Sequence, residues 1–388
     1  MEQTTSIVSI EKLVFGGLGL ARTEWGVVFV SDVLPGEKVT VVMDGTVGGQ
    51  MRAFPVAIIE ASPRRRKPPC AYYGACGGCD LLHCSYELQL SSKKEMVSEC
   101  LARIGKIREL PDMEVIASPE FGYRQRAQCK VDGGRKTVGL YKRKSREVVA
   151  IRHCPLLMPA LNALLARSEE MIASLPGSVD QIKLVAGKDG SVASSPALPG
   201  LCSATTIVRA GRFDFQVSGD SFFQGNAYLC EKLGIWARPS VQGDCFADVY
   251  GGVGFFSAFF HDRFSSGVIV DALEQQVDLA RSNLKDNGIT NVASQVDTAE
   301  RFLLGSFSPA IECLIVDPPR QGLSASAREG ILRRGPATIL YVSCNPSTQA
   351  RDLGVLLGRS GYFIDRLALF DLYPNTHHVE TAALLRKR

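Results

Sequence analysis

Cys344 ends the run Ile339-Leu340-Tyr341-Val342-Ser343 and stands directly before Asn345-Pro346. The run reads as a strand buried on both faces in a parallel sheet. Asn-Pro breaks regular backbone, so the sulfur is predicted at the carboxyl end of that strand. Ser347 is placed to cap a helix beginning just beyond. Upstream, residues 311–316 run apolar into Asp317-Pro318-Pro319-Arg320, a second strand emptying into a polar turn. Ligands bind at that end of an open α/β sheet, so two such ends side by side make a site in which the thiol is a candidate nucleophile. By residue type alone Cys344 would more often be an inert packing thiol; its polar neighbours weigh against that.

A second group of cysteines has ligand spacing. Cys70, Cys76 and Cys79 follow the order C-x5-C-x2-C, with Gly77-Gly78 letting the backbone turn tightly between the last two. His153-Cys154-Pro155 offers a fourth thiolate from far along the chain. Four thiolates fit a structural zinc or an iron-sulfur cluster, zinc being the commoner case. The first gap and the spare fourth cysteine differ from the C-x3-C-x2-C of radical enzymes. Cys84, Cys100, Cys129, Cys202, Cys230, Cys245 and Cys313 show no ligand spacing and are read as packing residues.

These residues need elements to hold them. Residues 1–62 alternate short β-rich runs with glycine turns, which fits a five-stranded barrel of the OB type. Residues 62–69 follow as a basic, proline-marked linker. Tyr86 to Arg103 has helical composition, with Lys93-Lys94 on its polar side. Residues 121–131, a Gly133-Gly134 turn and residues 137–141 read as a basic hairpin. Residues 120–152 hold ten Lys or Arg, among them Arg124, Arg126 and Arg135, against Glu120, Asp132 and Glu147. That excess suits a phosphate backbone, and a solvated surface would explain it equally well. Residues 156–174 read as one helix. Two more hairpins, turning near Asp189 and Gly211, complete an α+β middle segment over residues 63–215.

From residue 216 to 388 strands and helices alternate as in a doubly wound α/β fold. The first strand, residues 245–249, leads into Tyr250-Gly251-Gly252-Val253-Gly254, and the second ends in Asp271, placed to accept hydrogen bonds from ribose hydroxyls. The third ends at Asp297; the Asp317 and Cys344 strands are fourth and fifth. Tyr362 to Phe370 and residues 379–385 make seven.

With these residues in hand, nearly the whole chain resembles the RNA uridine-5-methyltransferases that use S-adenosylmethionine. The motifs are Cys70-x5-Cys76-Gly-Gly-Cys79 followed by His83, Tyr86 and Gln89; Ser221-Phe-Phe-Gln-Gly-Asn226; Asp317-Pro-Pro-Arg-Gln-Gly322; Tyr341-Val-Ser-Cys-Asn-Pro346; and His377-His-Val-Glu380. The amino-terminal wording is similar to a TRAM domain. The resemblance implies a Rossmann-like, seven-stranded class I methyltransferase domain beside that barrel and a small α+β iron-sulfur middle domain, whose helix 86–103 is placed to pack on the catalytic domain. It implies Cys344 as nucleophile, Glu380 as general base, and Gln224, Tyr250, Asp271, Asp297 and Asp317 as cofactor contacts. It turns Cys70, Cys76, Cys79 and Cys154 from zinc to a [4Fe-4S] cluster, and leaves Arg124 and Arg126 as RNA contacts. Barrel and cluster together are more similar to the 23S ribosomal RNA enzymes than to those acting on transfer RNA. The sequence departs from the family pattern at Gly251, Phe255 and Asp271, where Cys, Thr or Asn, and Glu are usual; the last two bear on the cofactor.

Rival chemistries lack their residues. A 5-methylcytosine enzyme would carry a second cysteine where Pro319 and Arg320 stand, and an adenine N6-methyltransferase an aromatic residue in place of Arg320. A non-catalytic iron-sulfur RNA-binding module would leave Cys344 and Glu380 idle. At 45% hydrophobic and 22% charged the composition is that of a globular protein, and no apolar run approaches the ~20 residues of a membrane span. A cytoplasmic monomer is expected, in a reducing compartment where 12 cysteines are not a disulfide framework.

Overall fold

The computed structural model describes residues 5–134, 136–306 and 310–388. Arg135 of the basic hairpin and the first four residues lie outside the described residues. Strands β1 (Thr5–Ser9), β2 (Lys12–Val14), β3 (Leu18–Thr23), β4 (Gly26–Val30), β5 (Lys38–Val47) and β6 (Gln50–Glu60) form one sheet, in the order β1-β5-β6-β4-β3-β2. β1 and β2 are halves of one strand bent at Ile10 and Glu11. The first half pairs with β5 and the second with β3, so the sheet closes into the five-stranded barrel expected. Val8, Val28, Val30, Val39 and Val41 fill it.

Helix α1 (Tyr86–Arg103) has Ser85 as its N-cap, and β7 (Met113–Ile116) follows it. Next come β8 (Arg126–Asp132), β9 (Thr137–Tyr141) and β10 (Val148–Ala150), then α2 (Pro159–Ala166) and α3 (Ser168–Ala173). β11 (Gln181–Ala186) and β12 (Val192–Ser195) complete a sheet ordered β10-β9-β8-β11-β12, against which Leu161, Leu164 and Met171 pack. The single helix expected over residues 156–174 is broken at Arg167, whose dihedrals of −98° and 30° leave the helical region.

β13 (Thr205–Ala210), β14 (Phe213–Ser218) and α4 (Cys230–Ile235) precede the large sheet. That sheet is built from β15 (Gly243–Val249), β16 (Phe264–Asp271), β17 (Val292–Val296), β18 (Cys313–Val316), β19 (Thr338–Ser343), β20 (Tyr362–Phe370) and β21 (Glu380–Lys387). Its helices are α5 (Phe255–Phe260), α6 (Glu274–Asp286), α7 (Ala299–Leu304), α8 (Ala325–Arg334) and α9 (Pro346–Ser360). The order is β17-β16-β15-β18-β19-β21-β20-β7, parallel except for β21. The doubly wound, class I architecture is therefore present with an eighth strand. β7, assigned above to the middle segment, pairs in parallel with β20 at the sheet edge, where Met113 joins one core and Ile116 packs against the other.

The sheet is covered on both faces. Phe213, Phe215, Phe255 and Phe259 build one core, and Val97 and Leu101 of α1 with Leu353 and Leu356 of α9 build the other. α1 presents an unexpected residue to this packing: Lys93, read as solvated, is fully buried with its Nζ 2.6 Å from Asp371 Oδ1. Among the described residues no helix is long and apolar enough to cross a membrane.

Candidate active site

β18 and β19 are parallel neighbours, with Val316 beside Tyr341, so their polar turns emerge together. The turns are tied to one another: Asn345 Nδ2 donates to Arg320 O at 2.9 Å, and Thr348 Oγ1 donates to the same carbonyl at 3.2 Å. Asn345, not Ser347, caps α9. Its extended backbone (φ −133°) precedes a proline at the first helical position, and its Oδ1 accepts the Ser347 amide at 3.1 Å. On the other side, β21 runs antiparallel to β19 with Ser343 opposite Thr381. Glu380 and Cys344 are the next residues on the two strands beyond that pair, and the charge of Glu380 reaches the thiol.

Three acids thus share one enclosure. Burial pushes the Cys344 thiol up to about 11, with the charges of Glu380 and Asp317 adding and Arg320 opposing. Burial, and then Asp317, hold Glu380 well above the carboxylate range, again against Arg320. Asp317 rises to about 7, through burial and then Asp248, while Gln224 Nε2, 3.4 Å from its Oδ2, pulls the other way. Like charges in a poorly solvated pocket resist ionising together, so the resting site retains protons, and each group once ionised is a stronger base than in water.

The glycine turn after β15 supplies the neighbouring wall. Tyr250 adopts a left-handed backbone (φ 67°), uncommon for a side-chain-bearing residue, and its amide donates to Val270 O at 2.9 Å. Asp271 receives the amides of Gly252 (3.0 Å) and Leu273 (2.9 Å), one on each carboxylate oxygen. Its first duty is therefore to hold the turn. Asp297 accepts the Thr298 amide at 2.8 Å, and its own amide donates to Asp271 O at 3.0 Å, so the ends of β16 and β17 are joined. Phe255 faces inward among Phe215, Phe223 and Phe259. A family side chain smaller than phenylalanine would open that aromatic cluster.

Cys70, Cys76, Cys79 and Cys154 line one small cavity with Tyr72, Leu82 and His153. The thiols of Cys76, Cys79 and Cys154 are pushed up by burial and by the other cysteines. They share the cavity, yet among the described residues no three His, Cys, Asp or Glu side chains come together as ligands of a single metal ion. The Gly77 amide donates to Tyr141 O at 2.9 Å, and a Cβ there would lie 3.0 Å from that oxygen, so glycine is what lets the loop approach the hairpin.

The hairpin cations are more committed than their number suggests. Arg143 and Lys144 pair with Asp32 and Asp44 of the barrel, docking the two bodies. Arg126 is turned inward, its guanidinium 3.4 Å from both Phe223 O and Gly219 O and stacked near the exposed Phe222 ring. Arg124, with its Nε on Arg126 O at 3.0 Å, lines the open cleft between hairpin and barrel together with Lys130 and Lys142. Sequence reasoning also missed three groups. Arg320 faces Cys344 and Glu380 electrostatically. Asp248 is buried with Oδ2 on Ser257 and Oδ1 unpartnered, and burial raises it to about 6. Tyr373, pushed up to about 12 by burial, feels Glu380 and Cys344. Arg320 lies in the Asp317–Gly322 motif and Asp248 in the strand before the glycine turn, both already singled out; Tyr373 carries no spacing signal.

The geometry agrees with comparisons to known proteins. The profile of the tRNA (Uracil-5-)-methyltransferases matches residues 203–388. An uncharacterized RNA methyltransferase of Aquifex aeolicus is 33% identical, over 97% of this chain and 97% of its own. The 23S rRNA (uracil(1939)-C(5))-methyltransferase RlmD of Chromohalobacter salexigens is 32% identical, over 100% of this chain and 90% of its own. Among solved structures, the Pyrococcus abyssi tRNA (uracil-54, C5)-methyltransferase, in complex with S-adenosyl-L-homocysteine, superposes with a TM-score of 0.78 over 98% of this chain and 99% of that one, at 24% identity. Relatives matched end to end at this identity place the chain in the RNA (uracil-5-)-methyltransferase family, as an enzyme that methylates carbon 5 of uracil in RNA.

Proposed function

We propose that this enzyme methylates a uridine of 23S ribosomal RNA, with Cys344 as nucleophile, Glu380 as base and S-adenosylmethionine as donor. The observation that supports the chemistry is the end of the β19–β21 ladder, where Ser343 pairs with Thr381 and the next residues, a strand-end thiol and a buried carboxyl, share one electrostatic field. Carbon 5 of uracil is a poor nucleophile until the Cys344 sulfur bonds to carbon 6. The thiol proton then departs and the ring π pair moves toward carbon 5 and the adjoining carbonyl oxygen. A carboxylate of the Asp317–Glu380 pair in its ionised form takes that proton and passes it to solvent, so that Glu380 is ionised before the second transfer. S-adenosylmethionine supplies an electrophilic methyl on a sulfonium. Once carbon 5 carries it, Glu380 removes the carbon 5 proton, the double bond re-forms, and the carbon 6–sulfur bond breaks. The base must leave its stack to reach Cys344.

Gln224, Tyr250, Asp271, Asp297 and Asp317 are the residues we assign to the donor, because they gather at the ends of β15 to β18 and the loop before α4. The barrel and the cysteine-bearing segment, residues 1–62 and 63–215, then hold RNA for the 216–388 unit. Four cysteines around one cavity supply the four thiolates that a [4Fe-4S] cluster would take. All its irons being held, it would brace the fold. Ribosomal RNA is favoured because the 23S relatives match the full chain; a transfer RNA substrate is the second reading, resting on the Pyrococcus enzyme's substrate. Labelled methyl transfer to a 23S fragment and to transfer RNA transcripts separates the two: incorporation into transfer RNA alone would overturn the ribosomal assignment.

A further inference from the structure

Residues 371–379, the connection from β20 to β21, have little regular structure yet deliver Glu380 to the site. Their path is fixed from outside. At one end Lys93 pairs with Asp371 and donates to Tyr373 O at 3.1 Å. In the middle Asn375, left-handed at φ 67°, donates its amide to Gln89 Oε1 at 2.7 Å, and its Oδ1 accepts from Arg66 at 2.8 Å. At the far end the contacts come from Asp80, the residue after Cys79. Asp80 Oδ2 lies 2.6 Å from His377 Nδ1 and accepts the His377 amide at 3.2 Å, while the amides of Asp80 and Leu81 donate to Asn375 O at 3.2 and 3.0 Å. The barrel adds a closing contact. Phe15 meets the His377 ring edge-on at 5.3 Å, and Gly17 (φ 71°) approaches so closely that a Cβ there would lie 2.5 Å from Asp80 Cβ.

We infer that Asp80 is a positioning residue for Glu380: the cysteine segment, through Asp80 and His377, fixes the start of β21 and so the placement of the base against Cys344. The inference rests on the assignment of Glu380 as base. Because that base acts only after methyl transfer, displacing it should stall the reaction at one identifiable point, with methylated uracil still bonded to sulfur.

The test compares Asp80→Ala, Asp80→Asn and Glu380→Gln in the full-length protein. In Asp80→Ala, amide exchange over residues 375–380 should rise roughly tenfold, the scale of one or two lost hydrogen bonds, with α9 unchanged. Turnover should fall while a covalent complex accumulates with ordinary uridine RNA. Asp80→Asn keeps an acceptor oxygen and should restore both. Unchanged exchange over residues 375–380, or lost turnover with uniformly faster exchange and no complex, would overturn the inference. If Glu380→Gln gives no complex, the base assignment fails, and the coupling of Asp80 to the loop is then decided by the exchange data alone.

Discussion

At Cys344, burial and two carboxyls act against ionisation and Arg320 acts for it. The thiol should therefore alkylate slowly at neutral pH and faster as pH rises toward a midpoint near 11. Glu380→Gln removes the negative charge that Glu380 carries at the alkaline pH where the thiol titrates, so the iodoacetamide profile should move to lower pH; Arg320→Ala should move it higher. A profile unmoved by either change would show that the three groups do not share one field. That Cys344 follows the end of a strand, and that Cys70, Cys76, Cys79 and Cys154 gather at one cavity, was legible in the sequence, because chemistry-bearing types there occur at diagnostic spacing or in specific motifs. Arg320 was seen as a member of its motif with no part assigned to it, and Tyr373 not at all, since which side chains face a thiol depends on how β18, β19 and β21 are ordered. That information lies in tertiary pairing.

Among the elements, α1 shows where pattern reading works and where it stops. Its bounds followed from composition, but Lys93 was assigned to solvent because an isolated helix gives no partner for a lysine; the partner, Asp371, stands 278 residues away. Lys93→Met should leave Asp371 buried and unpaired, at a cost of about 3–5 kcal/mol in urea unfolding. Lys93→Met with Asp371→Leu should recover most of that stability, and failure to do so would mean that other contacts of the helix carry the loss. The cap of α9 was misplaced by two residues because Ser and Asn are both good N-caps and only backbone dihedrals choose between them. Asn345→Ala should cost about 1 kcal/mol and, by freeing Arg320 O, lower activity beyond the stability effect; a change in stability without one in activity would separate the cap from the site.

For the whole molecule, seven strands were legible from alternation alone, while the eighth, β7, was not, because its partner β20 lies far along the chain. The same limit hid the docking of the hairpin on the barrel through Arg143–Asp32 and Lys144–Asp44. Arg124→Ala, at the open cleft, should lower the log–log salt slope of RNA binding by roughly one unit or somewhat less and leave donor affinity alone; an unchanged slope would return the cleft to plain solvated surface. Arg126→Ala should instead disturb the Gly219–Phe223 backbone that its guanidinium holds. Anaerobically prepared protein should absorb broadly near about 400 nm, and Cys76→Ser should abolish the band; one tightly held zinc in a colourless protein would refute the cluster. The pairing of Cys344 with Glu380 is tested most directly by incubating Glu380→Gln with uridine-containing RNA and S-adenosylmethionine and resolving the products on denaturing gels. A protein–RNA band that disappears when Cys344→Ala is added to the same variant is the predicted result; normal multiple turnover with no such band would contradict it.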